Sequence, residues 1–299
     1  MRTTRLLLCY DGSVDAKVAI ARAATTFGPR PAVVITVWND AAPDAARSLA
    51  AEGAKLAEAH GFLPVEPIAV RATGAIWETI LDAAEQFDTA VTVLGSRGRD
   101  GVRSLLLGSV TDHVVHHATR PAFVVRHDVP ASLSRRALIA YDGSDDAKLA
   151  IECAGQVLAS GAVTVLAVWQ HPGAALAQSW AETAYATELE GLAEAAERAA
   201  HTCAAEGVGL ATAAGLTADP LVRRGIGPVW PTILEASDEL DVGVTVLGSR
   251  GLSGISTLML GSVSDAVLHH TRRPALIVRH GTRMTHAGEE MTNSGQALL

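Results

Sequence analysis

Two segments of the chain carry glycine and serine at the same spacing. Gly-Ser-Arg-Gly at 95–98 is followed by nine residues and then by Gly-Ser at 108–109, and the same arrangement recurs at 248–251 and 261–262. Glycine in such a segment permits positive φ and a close approach of the backbone to a ligand. Where the last Gly-Ser pair opens a helix, unpaired amides and the helix dipole favour an anion. The spacing predicts a phosphate site, with a purely structural turn as the alternative.

The chain is a tandem repeat, which strengthens this prediction. Tyr-Asp-Gly-Ser at 10–13 recurs at 141–144, and Val-Leu-Gly-Ser-Arg-Gly at 93–98 recurs at 246–251. The residues around the loops differ between the copies, whereas the glycines and serines keep their spacing. The second copy is longer, and its extra length is expected between Trp169 and Trp230, in the Ala-rich stretch before Pro220.

Each copy alternates predicted strands with predicted helices. Short β-branched runs predict strands buried on both faces, and Ala and Ile at helical spacing predict the helices between them. The alternation predicts an α/β fold of two tandem Rossmann-like domains, each a five-stranded parallel sheet with helices on both faces. In the first copy the expected strands are Leu6–Tyr10, Ala32–Trp38, Pro67–Arg71, Thr89–Leu94 and Ala122–Arg126, and the expected helices are Asp15–Thr26, Ala45–His60, Ile76–Gln86 and Ser109–Ala118.

Composition excludes several classes of protein. Only 4% of the residues are aromatic against 48% hydrophobic, so the cores must be aliphatic. A net charge of -8 argues against a nucleic-acid partner, which requires clustered Lys and Arg. Cys9, Cys153 and Cys203 form no CxxC pair and suggest neither a disulfide framework nor a zinc site. The first apolar run meets Asp11 too early for a signal peptide or a membrane span, so a cytoplasmic protein without a membrane partner is expected.

The domain boundaries follow from the repeat. We expect a first domain over 1–128, a short linker over 129–135 and a second domain over 136–281. Residues 282–299 are polar and carry no periodic pattern, which predicts a disordered tail.

These motifs resemble the ATP-binding class of the universal stress protein family in its tandem form. The pattern G-x2-G-x9-G-[S/T] after the fourth strand, with an Asp that closes the first strand, carries the resemblance over nearly the whole chain. The resemblance implies an adenine nucleotide alpha hydrolase-like fold that binds an adenine nucleotide, ATP alone or with Mg²⁺. In the family, the Asp and a residue late in the second strand hold the adenine and ribose, and the glycine elements hold the phosphates.

Carried over by position, the resemblance implies two sets of cofactor-binding residues and identifies no catalytic residue or metal ligand. In the first copy they are Asp11, Val37, Gly95, Gly98, Gly108, Ser109 and Val110. In the second copy they are Asp142, Val168, Gly248, Gly251, Gly261, Ser262 and Val263.

Four basic residues near the loops allow two interpretations. Lys17 and Lys148 stand early in the first helix of each copy, where the family often has a small polar residue. Each lysine could reach a phosphate, although a solvated helix position is favoured. Arg97 and Arg250 could clamp a phosphate or fix the loop by bonding to carbonyls.

Histidine and tryptophan also allow two interpretations. His113, His116, His117, His269 and His270 follow the Gly-Ser pairs and could form a metal site, but a surface helix or a domain interface is favoured. Trp38 and Trp169 are expected in the core, with lining of the adenine pocket as the alternative. Core positions are also expected for Trp77 and Trp230, and Cys9 is expected to be an inert buried thiol.

The motifs favour a binding protein over an enzyme. The chain has no GxxxxGK[ST] P-loop and no GxGxxG after its first strand, and no general base is identifiable. We therefore expect a nucleotide-binding regulatory protein of stress response or growth control. A slow ATPase, with Asp11 or Asp142 positioning Mg²⁺ or water, and a ligand-independent dimerisation scaffold are the alternatives. Because the family joins domains through their final strands, an internal pseudo-dimer is expected, and a homodimer of whole chains is a further option.

Overall fold

The computed structural model describes residues 5–39, 43–98, 107–130, 133–171, 186–251 and 260–279. Strands and helices alternate within each half, as the sequence pattern predicts. The first half contains β1 (Leu6–Cys9), α1 (Val14–Phe27), β2 (Ala32–Trp38), α2 (Pro43–Ala59), β3 (Val65–Arg71), α3 (Ile76–Gln86), β4 (Val91–Gly95), α4 (Ser109–His117) and β5 (Ala122–Val125). The second half contains β6 (Ala137–Ala140), α5 (Asp145–Val157), β7 (Ala162–Gln170), α6 (Ala186–Ala213), β8 (Thr217–Gly225), α7 (Val229–Glu239), β9 (Val244–Gly248), α8 (Ser262–His270) and β10 (Ala275–Val278).

The strands form one ten-stranded sheet in the order β3-β2-β1-β4-β5-β10-β9-β6-β7-β8. Within each half all neighbouring strands are parallel. The halves meet where β5 pairs antiparallel with β10, with Phe123 opposite Leu276. The predicted fold class is confirmed: two tandem Rossmann-like units, each with a five-stranded parallel sheet.

Helices cover both faces of this sheet. Residues of α1 and α2 pack on one face with Leu6, Leu8 and Val34, while residues of α3 and α4 pack on the other face with Leu7 and Val33. Successive strand residues point to opposite faces, so a continuous apolar run fills both layers.

The strand order reverses between β1 and β4 in the first half, and between β6 and β9 in the second. At such a switch point the connections leave the sheet in opposite directions and open a crevice beyond the carboxyl ends of the strands. Both glycine loops follow a strand that borders this crevice, β4 and β9.

Several predicted boundaries move by one or two residues. The third strand was expected to start at Pro67, yet β3 begins at Val65. Because β3 lies at the edge of the sheet, one side of its backbone needs no ladder partner, and Pro67 is tolerated within it. Helix α2 begins at Pro43 rather than Ala45, since proline suits the first turn of a helix.

The extra length of the second copy lies where the repeat predicted it. Helix α6 has 28 residues, whereas its counterpart α2 has 17. Residues 172–185 of the added stretch lie outside the described residues, as do the whole of the predicted tail, 282–299, and residues 131–132 of the predicted linker. None of the helices in the described part of the chain combines the length and hydropathy needed to span a bilayer.

Candidate functional site

A cavity opens at the switch point of each half. The first has a volume of about 440 Å³ and the second about 250 Å³. All seven residues predicted for each copy line the corresponding cavity. They are Asp11, Val37, Gly95, Gly98, Gly108, Ser109 and Val110 in the first, and Asp142, Val168, Gly248, Gly251, Gly261, Ser262 and Val263 in the second.

One wall of each cavity is the start of a helix. Gly108 is the N-cap residue of α4 and Gly261 that of α8, and neither helix receives a side-chain cap. The first amides of a helix have no intrahelical acceptor, and the dipole makes this end positive. Ser109 and Val110, and likewise Ser262 and Val263, therefore bring an anion-binding helix end to the cavity.

The loop glycines stand where a Cβ would meet neighbouring atoms. The prediction that these glycines adopt positive φ is wrong, because Gly95, Gly98 and Gly108 all have negative or extended φ. Positive φ occurs instead at Gly12, in the turn after β1. A Cβ on Gly98 would lie 3.0 Å from Asp11 Oδ2, and one on Gly251 would lie 2.7 Å from Asp142 Oδ2. The loop thus passes directly against the carboxylate that the resemblance assigns to the nucleotide.

Gly95 has a different role from Gly98. A Cβ at Gly95 would lie 2.7 Å from the carbonyl carbon of Asp15 and 2.8 Å from the amide nitrogen of Ala16. The backbone of α1 therefore crosses the end of β4 with no room for a side chain. Gly248 has the same relationship to Asp146 and Ala147.

A turn orients the Asp11 carboxylate. Its Oδ1 accepts a hydrogen bond from the amide of Ser13 at 3.0 Å, and Ser13 Oγ in turn accepts one from the amide of Ala16 at 3.1 Å, which caps α1. The equivalent bonds in the second half, from Ser144 to Asp142 and from Ala147 to Ser144, measure 3.0 and 3.3 Å. One carboxylate oxygen is therefore used internally, while Oδ2 lies beside the glycine loop.

Sequence reasoning missed a buried carboxylate behind each loop. Asp15 Oδ2 accepts hydrogen bonds from Ser96 Oγ at 2.7 Å and from the Arg97 amide at 3.1 Å. His127 Nδ1 lies 2.9 Å from the other oxygen, Oδ1. The sequence did contain a signal, since an Asp recurs in register before each Ala-Lys pair, but only the lysine was considered there.

The second half repeats the serine bond to the buried carboxylate and adds a contact from the arginine side chain. Asp146 accepts a 2.7 Å hydrogen bond from Ser249 Oγ, and Arg250 Nε lies 3.4 Å from the same carboxylate oxygen. Arg97 and Arg250 both line their cavities, and Arg250 also takes part in fixing its loop. A contact of either arginine with phosphate stays a prediction.

Lys17 and Lys148 form ion pairs with glutamates of the next helix. Lys17 Nζ lies 3.2 Å from Glu52, and Lys148 Nζ lies 3.5 Å from Glu206, so each joins the first helix of its half to the second. Tyr10 donates a 2.6 Å hydrogen bond to Glu52, and this bond, followed by that from Lys17, holds the pKa of Glu52 below its ordinary value. The favoured interpretation of a helix-surface lysine agrees with this geometry.

Trp77 and Trp230 are half-buried and stack on histidines, so the expectation of core positions holds only for part of each ring. Trp77 stacks on His113 and His117 at 5.6 and 4.8 Å between ring centroids. Trp230 stacks on His270 at 4.6 Å. Within the described ranges no group of three His, Cys, Asp or Glu side chains could hold a metal ion.

The tryptophans that end β2 and lie near the end of β7 pack on arginines, whereas Cys9 lines the first cavity. Trp38 and Trp169 are absent from the described cavity walls, and each ring instead packs against an arginine, Arg71 at 5.7 Å and Arg224 at 5.6 Å. Cys9 is partly exposed and lines the first cavity, where burial raises the pKa of its thiol.

The fold and the paired cavities define a tandem α/β protein whose two Rossmann-like domains each present a glycine loop and a helix start at the switch point. The model of the universal stress protein family matches residues 2–126 and 134–279. The chain therefore belongs to the universal stress protein family.

Individual relatives agree with this assignment. A universal stress protein of Mycobacterium tuberculosis (strain H37Rv) is 29% identical over 251 residues, which cover 81% of this chain and 79% of that protein. One of Mycolicibacterium smegmatis is 27% identical over 230 residues, covering 75% and 71%. The crystal structure of a universal stress protein from Archaeoglobus fulgidus superimposes with a TM-score of 0.65 at 23% identity, covering 93% of this chain and 99% of that one, and supports the fold.

Proposed function

We propose that this chain binds an adenine nucleotide, ATP, in each of its two cavities, and that occupancy regulates its conformation or its choice of partner. The observation that carries the proposal is the convergence, in both halves, of a glycine loop, a helix start and a carboxylate on one cavity. The carboxylate lies far along the sequence from the loop and the helix start, and the two copies place the three elements alike.

The parts of the cavity suit different parts of a nucleotide. Amides at the start of α4 and α8, with the hydroxyls of Ser109 and Ser262, can donate hydrogen bonds to phosphate oxygens. The oxygen of Asp11 that faces the loop can only accept, which suits ribose hydroxyls rather than phosphate. Val37 and the aliphatic wall formed with Ile76 and Ile80 offer an apolar surface for a base.

The residues present fit the nucleotide on two further grounds. The first cavity, about 440 Å³, lies within the range of roughly 300–1,000 Å³ usual for small-molecule sites, and the second, about 250 Å³, lies slightly below it. The loop also runs bare past Asp11, where a side chain at Gly98 would intrude. Mg²⁺, if it accompanies ATP, would be brought by the phosphates, as is common for this ion.

The tandem halves are proposed to act as one internal pair. The antiparallel pairing of β5 with β10 supports this, because it makes one continuous sheet of the two halves and leaves β3 and β8 as its edges. Two sites in one chain can then report to each other without a second subunit.

Calorimetric titration with ATP tests the proposal. Gly108→Glu with Gly261→Glu should abolish binding, because each adds bulk and negative charge at a helix start; a Cβ on Gly108 already lies 3.3 Å from Arg97 Cα. The matched control is Gly191→Glu with Gly209→Glu, which adds the same two charges to exposed positions of α6 where a Cβ meets no atom within 4 Å. The proposal fails if the wild type takes up no ATP at millimolar concentration and purifies without nucleotide by mass spectrometry.

A further inference from the structure

One buried arginine of each half reaches into the other half of the chain. Arg126 directly follows β5 and Arg279 directly follows β10, and they are only 5% and 8% exposed. Since these strands are antiparallel neighbours, each arginine leaves its strand over the opposite half. Arg126 Nη1 donates to the carbonyl oxygen of His269, and Arg279 Nη1 to that of Val115, both at 3.4 Å.

The acceptors lie in the last turns of two corresponding helices. His269 belongs to α8 and Val115 to α4. Carbonyls in the last turn of a helix lack intrahelical donors, and the dipole makes that end negative, so a cation there is favourable. Each helix end is thus held by a guanidinium from the other half.

These are the helices whose opposite ends form the cavities. Both α4 and α8 have nine residues, and at 1.5 Å per residue each spans roughly 13 Å from its anchored end to its cavity. A short helix of this kind moves as a rigid rod. A shift at the arginine therefore reaches the amides of Ser109 or Ser262.

Each arginine also directly follows a residue whose carbonyl is hydrogen-bonded to the glycine loop of its own half. The amide of Ser96 donates to the carbonyl of Val125, the residue before Arg126, at 2.7 Å, and Ser249 bonds in the same way to Val278 at 2.6 Å. Each arginine therefore connects the glycine loop of one cavity with the phosphate-facing helix of the other.

We infer that Arg126 and Arg279 are positioning residues that act across the two halves. Arg126 fixes the position of helix α8 at the second cavity, and Arg279 fixes that of helix α4 at the first. Nucleotide in one cavity then changes the affinity of the other. This inference rests on the proposed function, because it concerns the affinity of the same two sites.

Single-site variants let each cavity be titrated separately with ATP. Gly108→Glu leaves the second cavity to be measured, and Gly261→Glu leaves the first. Adding Arg126→Gln should weaken binding at the second cavity by about fivefold or more, in the range usual for coupled sites, and should affect the first cavity less. Arg279→Gln should weaken the first. Arg126→Lys keeps a donor and a charge and should recover much of the affinity.

A control variant distinguishes loss of the bond to the other half from a general destabilisation around Arg126. Arg126 Nε also pairs with Asp128 at 3.2 Å within its own half, so Asp128→Ala removes that contact and leaves the crossing one. Asp128→Ala should leave the affinity of the second cavity unchanged. Without nucleotide, Arg126→Gln should speed amide hydrogen exchange of Val267 and Leu268 in α8 more than that of the corresponding residues of α4.

The outcomes distinguish the two proposals. If ATP binds but Arg126→Gln leaves the second cavity unchanged, or weakens only the first, the inference is overturned and the proposed function stands. If neither single-site variant nor the wild type binds ATP, both fall. Should Arg126→Gln fail to fold, Arg279→Gln decides at the first cavity, because Arg279 makes the reciprocal contact with Val115. An unchanged affinity of the first cavity in Arg279→Gln would then overturn the inference.

Discussion

The carboxylate of Asp15 accepts a 2.7 Å hydrogen bond from the hydroxyl of Ser96, and both side chains are buried. This pair ties the first turn of α1 to the residue that begins the glycine loop. The same 2.7 Å bond joins Asp146 and Ser249 in the second half. Each glycine loop is therefore held from behind, on the side away from the cavity, by a buried carboxylate.

Asp15→Ala should reduce the free energy of unfolding by about 1.5–3 kcal/mol, because it leaves the Ser96 hydroxyl and the Arg97 amide without their charged acceptor. Urea denaturation measures the change. Asp44→Ala is the control, since the side chain of Asp44 is 90% exposed and its ion pair among the described residues is with nearby Arg47, a contact worth less than about 1 kcal/mol. Equal losses in the two variants would contradict a special role for Asp15.

Glycine substitutions should separate folding from binding. Gly95→Ala should destabilise by about 1–3 kcal/mol because its Cβ meets backbone atoms of α1 that cannot move aside. Among the described residues, the Cβ of Gly98→Ala meets the movable carboxylate of Asp11, so stability should change little while ATP affinity falls about tenfold, or about 1.4 kcal/mol. Gly209→Ala, an exposed helix position with open space around it, should stabilise by about 0.5–1 kcal/mol. Thermal unfolding and calorimetry together check the three variants, and a larger stability loss at Gly98 than at Gly95 would refute the distinction.

One buried hydroxyl distinguishes the two halves. Thr92 Oγ1 has no hydrogen-bonding partner among the described residues, whereas the equivalent Thr245 Oγ1 lies 3.0 Å from Ser237 Oγ. The position of Ser237 is taken by Ala84 in the first half.

Thr92→Val should therefore stabilise the chain by about 1 kcal/mol, since it removes an unpaired polar atom, and Thr245→Val should destabilise it by a similar amount. Ala84→Ser provides the missing partner and should make Thr92→Val costly instead. Denaturant titration of the single and double variants measures this coupling, and equal signs for the two threonine variants would exclude it.

Alkaline pH should weaken the fold through Cys153. This thiol is fully buried in α5, and burial raises its pKa from 9.0 to about 12. The protonated thiol is favoured in the folded state, so its contribution is complete below pH 9 and is lost as pH rises from 9 toward 12. The slope is about 1.4 kcal/mol per pH unit for one proton.

Cys153→Ala should make the decline of stability between pH 9 and 11 shallower. Tyr10 and Tyr141 also have raised pKa values, caused first by burial, so part of the decline should persist in the variant. Unfolding free energies measured at several pH values give the difference in slope. Parallel curves for wild type and variant would show that Cys153 does not titrate in this way.

Local patterns were sufficient for the elements of the first half. Helix α3 lies at Ile76–Gln86 and strand β2 at Ala32–Trp38, as expected. Apolar periodicity and turn residues are local signals, and they survive into the folded state wherever packing agrees with them. The grouping of Asp11 with Gly98 and Ser109 was likewise accessible, because strand ends of a parallel sheet meet at one edge.

Contacts between residues far apart along the chain could not be predicted from the sequence. Lys17 could be placed on α1, but its choice of Glu52 over the cavity depends on how α1 and α2 pack. The stacking of Trp77 on His117 joins α3 to α4 in the same way. Such pairs are separated by dozens of residues and leave no periodic trace in the chain.

The sequence by itself determined the duplication, the α/β alternation and the spacing of the glycine loops, because each depends on residues that are neighbours along the chain. Only the tertiary structure decided that neither Gly95 nor Gly98 adopts positive φ and that Gly95 is demanded by crowding against the backbone of α1. It also decided that β5 meets β10 and that Arg126 thereby reaches His269 of the other half. These features depend on which surfaces come together when both cores are buried, and that is a property of the whole packed chain.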